Sequence, residues 1–133
     1  TNANGFFGNV LHYCGEQSDA IEHVTWAIRY SPVYPPFFAD VLALALLFDG
    51  SIDAAMAVAG ESLRLNPAGV TPRLVLIAGH DGHSQFAEAR KVGERLLATD
   101  PGFSLKTFGK HQPYKNKADI DSFVARLSSA GLP

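Results

Sequence analysis

The residues that could do chemistry in this chain are few and poorly grouped. His80, Asp81 and His83 stand together in the run HDGH. Two imidazoles and a carboxylate are metal-ligand types, but a site needs them to converge with a further ligand, and this spacing fits no zinc pattern. The glycine between them predicts a polar turn instead. Glu16, Asp19 and Glu22 resemble an acid pair with a spare. They fall at a turn and a first helical turn, where negative charge complements the helix dipole. Lys106, Lys110, His111 and Lys115 form a modest basic cluster that reads as solvated loop charge, with an anion or an acidic partner surface as the sharper alternative. No glycine-rich phosphate loop, nucleophile elbow or Cys/His pairing of catalytic spacing occurs. Cys14 is the single cysteine. It excludes an internal disulfide, fits a reducing, cytoplasmic compartment and is expected to be a packed thiol.

The elements that carry these residues repeat. Pro32, Pro67 and Pro101 each close an apolar helical run, AIRYSP, LRLNP and LLATDP, at intervals of 35 and 34 residues. Ala20, Ala55 and Ala89 each stand twelve residues before one of these prolines. A helix crossing tolerates only a small side chain, and Ala27 and Ser62 keep the contact small further along. Proline cannot continue a helix and pushes the preceding residue out of the helical region. Gly15 and Gly50 stand five residues before Ala20 and Ala55 as helix terminators. Helices are expected near 3–14, 18–31, 35–48, 52–65, 71–81 and 85–99, a short one near 103–109 and an amphipathic one over 117–130. Pro35 is expected in a first turn, and Ser51 or Asp53 as a cap. In the last helix Ile120, Phe123, Val124 and Leu127 follow the i, i+3, i+4, i+7 rule. No strand pattern is present.

A period near 34 with a small residue in the second helix and a closing proline resembles a tetratricopeptide (TPR) array. The segments GEQSDAI, GSIDAAM and GHSQFAEAR, with the ends LRLNP and LLATDP, carry that likeness. It implies an all-α, TPR-like α-solenoid of three helix hairpins in a right-handed superhelix. The repeats would cover 1–34, 35–68 and 69–102, with a C-terminal capping segment over 103–133. The closing stretch DPGFSLKTFGKHQPYKNKADIDSFVARLSSAGLP is similar to the end of the TPR region at the C-terminus of bacterial class III adenylate and guanylate cyclases, and of some winged-helix regulators. Asp100, Pro101, Gly102, Phe103, Pro113, Tyr114, Lys115, Ala118, Asp119 and Ala130 to Pro133 carry it. Repeat one has Asn4 where an early aromatic is usual. Repeat three has Ile77 and His80 at atypical positions and an enlarged turn over 80–85. No cyclase or DNA-binding domain is present, so the chain reads as a piece excised from a longer protein.

The resemblance implies a non-catalytic protein-interaction or regulatory module in cyclic-nucleotide signalling, without cofactor or metal. The alternatives are the effector domain of a winged-helix transcription regulator and a stand-alone enzyme. Partners would be a protein or peptide, other domains of the same chain, or a second copy. The register places Asn2, Gly5, Asn9, His12, Tyr13, Phe37, Asp40, Leu44, Leu47, Phe48, Thr71, Leu74, Ala78 and Asp81 on the concave side. The candidate groove residues are Asn9, His12, Tyr13, Phe37, Asp40, Leu44, Leu47, Phe48 and Leu74, and of these the apolar Phe37, Leu44, Leu47 and Phe48 either bind an apolar segment or pack under neighbouring helices. No Lys or Arg occupies this row, which argues against capture of a peptide carboxylate.

Composition sets bounds. The 133 residues suffice for one domain with a real core. A net charge of −2 leaves no basic footprint for nucleic acid. The apolar run 41–48 is too short to span a bilayer. Charged residues are 18% of the chain, below the roughly 25% that is usual. A thin array with so little charge is expected to cover some of its surface by self-association or domain contact, with Phe6 and Phe7 partly open. The tail, with Phe103, Leu105 and Phe108 on one piece, is expected to cap the last repeat.

Overall fold

Each proline-closed run ends as its chemistry requires. Ser31, Asn66 and Asp100, the residues before Pro32, Pro67 and Pro101, leave the helical region, with ψ of 118°, 87° and 79°. A computed structural model describes residues 2–133; Thr1 and the side chain of Asn2, which the register put on the inner face, lie outside what is described. Among the described residues all regular structure is helical: α1 (Asn2–Tyr13), α2 (Gln17–Tyr30), α3 (Phe37–Phe48), α4 (Ile52–Leu65), α5 (Thr71–Gly82), α6 (Phe86–Thr99), α7 (Leu105–Lys110) and α8 (Lys117–Ser129).

Helices α1 and α2, α3 and α4, and α5 and α6 pack against each other across short turns. The turns are 14–16, 49–51 and 83–85, equal in length. The enlarged turn expected over 80–85 is therefore absent, because α5 continues through Asp81 and Gly82. The same two bonds close each turn. The Gly15 and Glu16 N–H groups donate to the carbonyls of His12 and Leu11, those of Gly50 and Ser51 to Leu47 and Leu46, and those of Ser84 and Gln85 to Asp81 and His80. This geometry needs a left-handed residue at its centre. Gly15 and Gly50 supply it at φ 88°, and Ser84 takes the same place at φ 59°. Ser51 stands at the N-cap of α4 without a side-chain capping bond. Helix α3 starts at Phe37 rather than Pro35, with the Phe38 N–H donating to the Pro35 carbonyl.

The crossings are as close as the small residues allow. Ala20, Ala55 and Ala89 are fully buried. A side chain at Gly8 would collide with Val24 of α2, and one at Gly5 with the ring of Phe38. Successive hairpins touch through α2 and α3, and through α4 and α5, with α1 also meeting α3 and α3 meeting α5. One apolar cluster joins Val24 and Ala27 of α2 to Phe38 and Val41 of α3. A larger one runs from Ala43 through Ala59, Leu74, Ile77 and Leu96 to Phe123 and Leu127.

The tail belongs to that larger core. Helix α8 packs on α5 and on α7, whose Ser104 cap accepts from the Thr107 N–H. The Leu105 N–H donates to the Pro133 carbonyl at 2.8 Å, tying the start of the tail to its end. The tail also goes further than a cap on the last hairpin would. The Lys115 N–H donates to the Tyr13 carbonyl, at the C-terminal end of α1.

Candidate functional site

Positions 13, 48 and 82 are equivalent in the three hairpins, and each ends the first helix of its pair. The tail visits them in turn. The Tyr114 ring packs on Tyr13, with centroids 4.6 Å apart, and stacks on Phe48 at 5.3 Å. Phe123 meets Phe48 edge-on at 5.4 Å. The Arg126 guanidinium lies close against Gly82, where an added Cβ would come within 3.0 Å of its Nη1 and 3.2 Å of Ile52 Cδ1. Residues 113–126 therefore lie along one row of equivalent positions, from the first hairpin to the third.

A buried polar network anchors the first contact. His12 is fully buried. The Gln17 amide nitrogen donates to the His12 carbonyl at 3.0 Å, so Gln17 Oε1 is left to accept from His12 Nδ1–H at 2.8 Å. That fixes the tautomer, and His12 Nε2 accepts from the Tyr114 hydroxyl at 2.7 Å. Every polar atom of the imidazole is satisfied in its neutral form. Burial lowers the His12 pKa, against the Gln17 hydrogen bond and the charge of Asp119. Burial raises that of Tyr114, with Tyr13 and Asp119 adding to it, so the phenol keeps its proton. Burial alone raises that of Tyr13.

Beside this contact an open cleft of about 220 Å³ lies between α3 and α8. Leu47, Phe48 and Phe123 give it an apolar floor, and Asp119, Ser122 and Arg126 give it polar walls. A space of this size and chemistry takes one or two side chains of a peptide. Asp81, equivalent to Leu47, has a buried Oδ1 without a hydrogen-bond partner nearby on α5.

Of the candidate groove residues, His12, Tyr13, Leu47 and Phe48 come together here. Asn9 is half-buried on α1. Leu44, at 7% exposure, follows the packing reading rather than the binding one, and Leu74, at 1%, is corrected to the core, because neighbouring helices close over both. Phe37 packs on Phe6 and Phe38 at the opposite end of α3, about 16 Å from Phe48 along the helix axis. Asp40 turns toward α4, where the Ser62 hydroxyl donates to its Oδ1 at 2.9 Å, and burial raises its pKa. Tyr114, Phe123 and Arg126 went unassigned to the groove by sequence. Phe123 carried a signal in its helical stripe, whereas Tyr114 sits in a polar loop with none.

The HDGH residues go to separate partners. His80 Nδ1 meets Gln85 Oε1 at 2.8 Å, and His83 Nε2 meets Asp53 Oδ1 at 2.7 Å. Cys14 is half-buried, and among the described residues no helix is long and apolar enough to cross a membrane. No protein-family model matches the chain, and no curated protein matches it.

Proposed function

We propose that the chain is a TPR-like α-solenoid of three hairpins with a C-terminal cap, and that it works as a non-catalytic protein-interaction module. Three features support this reading: the 34–35-residue period, the alanines buried at matching crossings, and the turn that recurs with the same two bonds. The observation that carries it is the row of equivalent positions already holding a peptide segment, the chain's own tail. A surface that recognises a segment through apolar side chains at repeat spacing is a peptide-binding surface. In this reading the tail is a resident ligand, and partners compete with it or bind beside it in the open cleft. The resemblance of the closing sequence to the end of bacterial class III cyclases supports a regulatory role beside a cyclase catalytic domain in a cytoplasmic protein, with a winged-helix regulator as the alternative parent.

The test uses a labelled peptide of residues 113–133. Added to a chain ending at Gln112, it should bind the vacated row, and it should bind the unaltered chain far more weakly. An opened chain that stays helical by circular dichroism yet binds no peptide would remove the basis for the reading.

A further inference from the structure

The helix positions that receive a preceding hairpin are buried in α3 and α5 and half-exposed in α1, where the Phe6 ring also packs on Phe37 and Phe38. Val41 and Val75, equivalent to Phe6, are 4% and 0% exposed, while Phe6 is 50% exposed. Ala45 is buried, and the space beside Gly79 is taken by Met56 of the preceding helix, while the equivalent Val10 is 56% exposed. Ala3, Phe6, Phe7 and Val10 follow helical spacing and make one apolar stripe, and α1 carries no Asp, Glu, Lys or Arg. The stripe continues onto α2 around a groove lined by Asn4, Glu22, Trp26, Arg29 and Tyr30. The fold thus presents at this end the kind of surface that it buries twice elsewhere.

We infer that this face pairs with the same face of a second copy about a two-fold axis. An uncharged helix meets its own copy without repulsion. Glu22 and Arg29 carry opposite charges on either side of Trp26, and among the described residues neither takes part in an ion pair. In an antiparallel crossing centred near Trp26, Glu22 of each copy faces Arg29 of the other. Such a contact is self-complementary and closed. At the other end of the stack α8 packs on α5 and α7 packs on α8. This inference is independent of the groove on the opposite helix ends.

Sedimentation equilibrium of the full chain tests it. A reversible dimer is expected. Val10→Glu should make it monomeric with helical content unchanged. Glu22→Arg and Arg29→Glu should each weaken association about tenfold, and the two together should restore it, since only a two-fold pairing re-forms both contacts. A chain that stays monomeric at millimolar concentration would overturn the proposal and give this face to a different helical partner. A dimer in which the double charge reversal fails to restore affinity would overturn the two-fold pairing.

Discussion

The phenolic oxygen of Tyr114 stands 2.7 Å from Nε2 of His12, joining residues 102 positions apart in the chain. This bond ties the tail to the first hairpin and completes the hydrogen bonding of a buried imidazole.

Tyr114→Phe keeps the ring contacts with Tyr13 and Phe48 but leaves Nε2 without a donor. An orphaned buried acceptor costs about 1–3 kcal/mol. Denaturant unfolding should show a loss in that range, and the Lys115 amide, bonded to the Tyr13 carbonyl, should exchange faster. A variant that unfolds like the wild type and keeps Lys115 protected would show that stacking alone holds the tail.

Acid should loosen the same contact. The unfolded chain binds a proton on His12 near its ordinary value of 6.5, and the folded chain only at lower pH. The unfolded state therefore holds more protons in that interval, so stability rises with pH through it. The His12 contribution is complete above about 6.5 and is lost progressively as the pH falls below it. Melting temperature followed from pH 8 to pH 5 should drop on the acid side. His12→Gln should flatten the part of that slope belonging to His12; an unchanged slope would assign it to other groups.

Ala55→Leu should overpack the crossing of α3 and α4. Ala55 is fully buried, and inserted methylene groups in a filled core cost about 1–3 kcal/mol. Thermal melting measures it. No loss would mean that the crossing has room for a larger side chain.

Ser84→Gly should stabilise the chain by about 0.5–1 kcal/mol. Ser84 holds φ 59° where the other two turns have glycine, and a left-handed residue with a Cβ pays about 1–2 kcal/mol, less the entropy that glycine loses on folding. The reverse change, Gly50→Ser, should destabilise by a similar amount, and urea midpoints would show both.

The all-helical class and the helix boundaries were legible because proline and glycine fix helix ends locally. Pro32, Pro67 and Pro101 stop their runs whatever surrounds them, and the observed ends agree with expectation within about two residues. Ser84 shows where this fails: a serine in a left-handed turn gives no composition signal, so the third turn read as longer than it is. The site was legible in part. Register put His12, Tyr13, Leu47 and Phe48 on one row, but a row named along whole helices also took in Leu44 and Leu74, which neighbouring helices cover. It took in Phe37 and Asp40 too, at the far end of α3 or facing α4. The path of the tail could not be read, because Tyr114 finds its partner through three-dimensional proximity alone.

The row that holds the tail is Tyr13, Phe48 and Gly82. Its bulk falls from a phenol through a phenyl ring to nothing, while the tail sets Tyr114 against the first two and the long arm of Arg126 against the last. Such a taper has a sense. On the proposed reading, a segment laid on it from the other end would set its long arm against rings and its ring against Gly82 and Ile52, so the surface would distinguish a sequence from its reversal. A competitor that copies the tail then carries an aromatic residue first and a long cationic one about twelve positions later, in that order.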